Sequence, residues 1–101
     1  MEEKIKKIKK LNYLDDAILF MKSLLRRGKR DTAKAIKSVL LEICRNGSSY
    51  PGLVKYSDVK NMYTLHIPAT GSEEEFKQGF RVLLIIMEYH VLATSIGPEY
   101  S

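Results

Sequence analysis

One cysteine in 101 residues, Cys44, has no second thiol to pair with, so no internal disulfide framework holds this chain. Partner Cys or His residues at ligand spacing are missing too, which leaves no start for a zinc site. A reducing, cytoplasmic setting is the expectation. No apolar run approaches the ~20 residues that a bilayer-spanning helix needs. The opening Met1-Glu2-Glu3-Lys4-Ile5-Lys6-Lys7 is basic but no apolar signal region follows it. The chain is therefore expected to be neither secreted nor inserted in a membrane. The familiar catalytic motifs are absent as well: there is no glycine-rich phosphate loop, no HExxH, no CxxC pair and no GxSxG elbow. Nucleotide hydrolysis, zinc hydrolysis and triad chemistry thus have no support, and no cofactor or metal is expected. With no repeats, linkers or low-complexity tail, residues 1–101 read as a single domain that buries roughly two-thirds of its unfolded surface.

What is present is positive charge, unevenly placed. Residues 1–45 carry 13 Lys/Arg against 6 Asp/Glu, whereas residues 46–101 carry 4 against 6. A basic front half attracts polyanions such as RNA or DNA, or an acidic protein, through long-range attraction and counterion release. A solvated lysine-rich surface is the equally weighted alternative.

Periodicity then divides the chain. Residues 1–11 place Ile5, Ile8 and Leu11 either on a helix stripe or on a short edge strand blunted by lysines. Asn12 is read as a helix cap, with Leu14, Ala17, Ile18, Met21, Leu24 and Leu25 as the apolar stripe and Arg26-Arg27-Gly28 as the stop. Asp31 is read as the cap of a second helix, whose stripe is Ala35, Ile36, Val39, Leu40, Ile43 and Cys44 and whose stop is Asn46-Gly47. The short Gly28-Lys29-Arg30 link makes the two an antiparallel hairpin. A turn-rich loop precedes Leu53-Val54-Lys55-Tyr56. A strand is expected from Val59 to Ile67, with Tyr63, Leu65 and Ile67 on one face and Lys60, Met62, Thr64 and His66 on the other, until Pro68 ends it. After a polar loop over 69–78, Gly79 to Gly97 reads as two long strands folded back at Glu88-Tyr89-His90. In the first of these, Phe80, Val82, Leu84 and Ile86 oppose Arg81, Leu83, Ile85 and Met87. The fold class is α+β: an N-terminal antiparallel helical hairpin packed on one face of a small antiparallel sheet of three to four strands.

Pairing across the 69–78 loop brings His66 near Arg81. A histidine beside a fixed cation is an acid/base group with a phosphate clamp, the equipment for cleaving an RNA backbone. The duller readings are a surface histidine and an arginine engaged in a salt bridge to Glu73, Glu74 or Glu75. Cys44, on a helix stripe, reads as a small core residue rather than a nucleophile. The row Leu83, Ile85 and Met87 beside Arg81 is a second apolar face that needs a cover.

The order of elements, with Leu53-Val54-Lys55, Asn61-Met62-Tyr63-Thr64-Leu65-His66-Ile67, Gly79-Phe80-Arg81-Val82-Leu83 and a hairpin ending Ser95-Ile96-Gly97, resembles the RelE/ParE toxin superfamily over roughly residues 8–100. The resemblance implies a toxin that is partnered by a cognate antitoxin. In RelE-like members the activity is ribosome-dependent, metal-independent cleavage of mRNA; ParE-like members poison DNA gyrase. Carried over residue by residue, it implies catalytic roles for Arg81, His66 and Tyr100, and RNA contacts from Lys55, Lys60 and Thr64. It also implies a basic segment after the final Ile-Gly, where this chain instead reads Pro98-Glu99-Tyr100-Ser101. The favoured expectation is a RelE-like endoribonuclease acting on mRNA on the ribosome, which forms a homodimer when isolated. The rivals are a ParE-like or catalytically silent relative that acts by binding protein, and a basic nucleic-acid-binding domain without catalysis.

Overall fold

Strict alternation along Phe80–Ile86 organises the molecule. In the computed structural model, which describes residues 8–69 and 76–99, Phe80, Val82, Leu84 and Ile86 are all buried, while Arg81 is exposed and Leu83 and Ile85 are half-buried. The elements in order are β1 (Lys10–Tyr13), α1 (Asp15–Arg26), α2 (Arg30–Asn46), a short 3-10 turn (Gly47–Ser49), β2 (Val54–Lys55), β3 (Met62–Ile67), β4 (Phe80–Ile86) and β5 (His90–Pro98). The strands form one sheet in the order β1-β5-β4-β3-β2. Every pairing is antiparallel except β1 with β5, which run parallel.

The sheet therefore has five strands among the described residues and is mixed, not the three- to four-stranded antiparallel sheet expected. The helical hairpin is not the first element either. Asn12, read as a helix cap, lies inside β1 opposite Leu92. β1 is held by Lys10 N–H donating to the Tyr89 carbonyl at 2.8 Å and Leu14 N–H to that of Ala93 at 2.8 Å. Of the two readings of the N-terminal segment, the edge strand is the one observed, but at Lys10–Tyr13; four residues with an exposed–intermediate alternation give too little apolar signal to fix those bounds, and a parallel partner so distant in sequence leaves no turn to mark them. Residues 1–7 lie outside the described residues. Leu14 occupies the N-cap of α1 and Lys29 that of α2, neither with a side-chain cap; Asp15, Asp16 and Asp31 instead sit in the first turns, where carboxylates favour the helix dipole.

Both helices cover one face of the sheet. Ala17, Leu24, Ile36, Leu40, Ile43 and Cys44 join Leu65, Ile67, Val82, Leu84, Val91, Ala93 and Ile96 in one core. The packed stripe of α1 is Ala17, Phe20, Met21 and Leu24; Leu14, Ile18 and Leu25, expected in it, are exposed. Phe20, Phe76 and Phe80 close one end of this layer, with ring centroids 5.0–6.3 Å apart. Arg27 and Lys29, from the tip of the hairpin, each stand 5.7 Å from the Phe76 ring centroid. Burial pushes the Cys44 thiol pKa up, as a core role requires.

Candidate functional site

The opposite sheet face carries the chemistry. Register places His66 directly across from Arg81, and Arg81 across from Gly97, so the three form one rung on the face turned away from the helices. The expected meeting of His66 and Arg81 is thus observed, and so is the outward direction of Arg81. Thr64 sits on the next rung of the same face, opposite Leu83. The strand itself starts at Met62 rather than Val59, because the chain turns at Asn61, whose φ is 64°. Lys60 is consequently in that turn and not on the ladder. The four steps along the strand from Met62 to His66 span about 13 Å, so Lys60 is not part of the His66–Arg81 rung. Lys55 pairs with Tyr63 and therefore takes the helix-side parity at the sheet edge, again apart from Arg81. Tyr100 falls outside the described residues, as do Glu73, Glu74 and Glu75. His90 begins β5 on the surface, its Nδ1 3.3 Å from Asn12 Nδ2.

The residue that sequence reasoning missed is Glu99. Its carboxylate accepts a hydrogen bond from Arg81 Nη2, forming an ion pair, and the same oxygen lies 3.5 Å from His66 Nδ1. The Arg81 hydrogen bond, and then the charges of Arg81 and His66, hold the Glu99 carboxyl below the usual carboxylate range against a partial desolvation that raises it. Glu99 is delivered by backbone, not by a loose tail. Its N–H donates to the Gly79 carbonyl at 2.9 Å, which continues the β4–β5 ladder by one bond.

Two local features set that geometry. The first is an irregularity in β5: Leu83 faces Ser95 but Leu84 faces Ala93, which leaves Thr94 as an extra residue between rungs. Val91 and Ala93 point into the core, and after the bulge Ile96 does too, so Ser95, Gly97 and Glu99 turn outward. Thr94 Oγ1 donates to the Leu83 carbonyl at 3.0 Å and ties the bulge down. The second feature is Gly79, at φ +84°, where an added Cβ would sit 2.3 Å from the Ile67 carbonyl oxygen and 3.1 Å from His66 Cε1. Glycine alone fits against the end of β3 here.

The site is an open surface, with Arg81 and His66 side chains 44% and 43% exposed. A Cβ on Gly97 would meet nothing within 4 Å, so bare backbone lies beside the guanidinium. That openness suits a polymer better than an enclosed small molecule. A concavity of about 460 Å³ lies at the other end of the sheet, but both its cations are engaged: Lys9 donates to the Met87 and Glu88 carbonyls at 2.7 and 2.6 Å, and Arg45 pairs with Glu42 at 2.8 Å. Among the described residues no cluster of His, Cys, Asp or Glu could hold a metal ion, and no helix is long and apolar enough to cross a membrane. Beyond the rung, the outward face is apolar, through Leu83, Ile85, Leu92 and Met62.

No protein-family model and no curated protein sequence matches this chain. Solved structures do. The YoeB dimer from Staphylococcus aureus supplies a chain that is 19% identical, with a TM-score of 0.67, covering 92% of this chain and 99% of that one. A chain of the intact Escherichia coli RelBE toxin–antitoxin complex is 16% identical, with a TM-score of 0.60 and the same coverage. At these identities the likeness speaks for architecture alone: this chain shares its fold with a chain of each of these two structures, the fold that the sequence resemblance led one to expect.

Proposed function

We propose that this chain is a RelE-like toxin of a toxin–antitoxin pair and that it cleaves mRNA on the ribosome. The observation that carries the reading is the rung itself: a guanidinium and an imidazole side by side on an open sheet face. Backbone cleavage by a ribose 2′-hydroxyl forms a bond from that oxygen to phosphorus and breaks the bond to the 5′-oxygen. One group must take the hydroxyl proton, another must give a proton to the leaving oxygen, and a cation must stabilise the charge that builds on the phosphoryl oxygens. Arg81 is the cation. His66, with Nδ1 toward Glu99, offers Nε2 for one proton transfer, and Tyr100 is assigned the other. Thr64 contacts the backbone on the adjoining rung, and Lys55 and Lys60 hold flanking RNA along the β2–β3 edge. Neutralisation of the helix-hairpin cations by structured RNA fits the same partner.

The apolar row Leu83, Ile85 and Leu92 supports two further partners on the outward face: a cognate antitoxin segment and, for the isolated protein, a second copy. A second reading is favoured by one contact. Because Glu99 already neutralises Arg81, the chain also suits a ParE-like or catalytically silent relative that acts through protein binding. The two readings separate in a reconstituted translation reaction. Added protein should cut a translated mRNA, as mapped by primer extension, and leave an untranslated copy intact. Intact message together with inhibited gyrase supercoiling would replace the first reading with the second.

A further inference from the structure

We infer that Glu99 is an internal occupant of the phosphate site, a carboxylate that an RNA phosphodiester must displace from Arg81, and that it thereby sets the affinity and selectivity of the site. The inference rests on the reading of Arg81 as a phosphate clamp and adds to it a competitor built into the chain.

An arginine on an open sheet face can lie in water at little cost, and an exposed ion pair is worth little because both partners are well solvated. This pair, however, is assembled by three coincident backbone features rather than by two mobile side chains finding each other. The bulge at Thr94 turns Glu99 to the guanidinium's face, Gly79 lets its carbonyl receive the Glu99 N–H, and Gly97 keeps the space between them clear. The Glu99 oxygen stands between Arg81 and His66 Nδ1, where a phosphoryl oxygen would have to sit to be held by the guanidinium beside the imidazole. A carboxylate and a phosphodiester offer the same acceptor geometry to a guanidinium fork, so they compete for it directly. A ligand that brings only one charge faces that competition unaided. One that brings several phosphates, and so engages other cations of the surface at once, gains enough effective concentration to prevail. Glu99 thus screens out small anions and favours chains of phosphate.

Glu99 acting as the general base is the alternative use of the same residue, and the lowered carboxyl pKa makes it a weak one. The two uses predict opposite signs. The test measures binding of a 2′-O-methyl RNA oligonucleotide, which cannot be cleaved, and of inorganic phosphate, to wild type, Glu99→Gln, Arg81→Ala, the double variant, and Glu88→Gln as a control of equal charge change at the other end of the sheet. Glu99→Gln should tighten both probes about two- to fivefold, the range of a surface ion pair. Phosphate should gain at least as much as the oligonucleotide, Glu88→Gln should give less than half that effect, and in the Arg81→Ala background the gain should vanish. Unchanged or weaker binding by Glu99→Gln, an equal gain from Glu88→Gln, or a gain that survives loss of Arg81 would each overturn the inference. Cleavage is scored separately on translated mRNA. Tightened binding without any cleavage would sink the nuclease reading and leave this one standing, whereas cleavage abolished by Glu99→Gln with no gain in binding would make Glu99 a catalytic residue instead.

Discussion

Replacing Gly79 by alanine should damage stability and site together, and the size of the effect follows from two contacts. Gly79 has φ +84°, a conformation that costs an L-residue roughly 1–2 kcal/mol. The new Cβ would then meet the Ile67 carbonyl oxygen at 2.3 Å, and this neighbour is backbone at the end of a paired strand, with no rotamer to yield. Forcing β3 aside is a form of overpacking, costing about 1–3 kcal/mol. The sum, about 2–5 kcal/mol, is a large part of the stability of a domain this size. Urea unfolding followed by circular dichroism should show a lower midpoint with an unchanged slope. Gly97→Ala is the matched control, because its Cβ meets nothing within 4 Å and its backbone is not left-handed; its stability should stay within ~0.5 kcal/mol of wild type. If the two variants unfold alike, the strain assigned to Gly79 is wrong, and with it the account of how Glu99 is held.

Arg81→Ala should lose most growth inhibition, with activity on translated mRNA down on the order of a hundredfold and the fold retained, its midpoint lowered by no more than the small contribution of the exposed pair with Glu99, while His66→Ala and Tyr100→Phe lose less; equal toxicity of wild type and the Arg81 variant would refute the assigned role. Ile85→Lys should weaken self-association in light scattering without loss of helical signal, and a strictly monomeric wild type would remove its basis. Cys44 should resist alkylation in the folded protein and react only as the chain unfolds, so rapid labelling under native conditions would contradict its burial. Glu99 has a lowered pKa in the fold, so its stabilising contribution is complete above the ordinary glutamate range, shrinks as pH falls through that range and is gone below its own value. Thermal melts across acid pH should therefore show wild type converging on Glu99→Gln as the pH drops, and parallel curves would refute the pairing.

Much of this was legible in residue order. Two-residue alternation located the buried and exposed faces of β3 and β4, and antiparallel pairing across the 69–78 loop was enough to bring His66 near Arg81, though not to fix them on one rung. The α2 stripe was readable for the same reason, a long run of one period. The N-terminal edge strand was readable only as an alternative to a helix, and its bounds and pairing were not, because its partner is parallel and remote. The α1 stripe was misplaced in part: hydrophobicity alone admitted Leu14, Ile18 and Leu25, although the face centred on Ala17, Phe20 and Leu24 is the one that packs. Glu99 was hidden by the bulge. Counting by twos from Val91 and Ala93 sends residue 99 to the helix side, and only the extra Thr94 reverses it. The rival partners considered for Arg81, Glu73 to Glu75, were chosen by nearness in sequence, whereas the register across β5 supplied the partner.

The place of β5 in the sheet also dictates when the molecule can exist. It lies between β1 and β4, yet among the described residues it is the last strand in chain order, so until it is made β1 has no neighbour in the sheet and β4 has one open edge. Both helices, β3 and β4 leave the ribosome before the strand that joins them to β1. The anion site is later still, because Glu99 follows that strand. A nascent chain thus carries Arg81 without its carboxylate and a sheet with a raw edge, a state open to any strand offered by another chain. The finished surface, and whatever recognises it, becomes available only once β5 has cleared the exit tunnel.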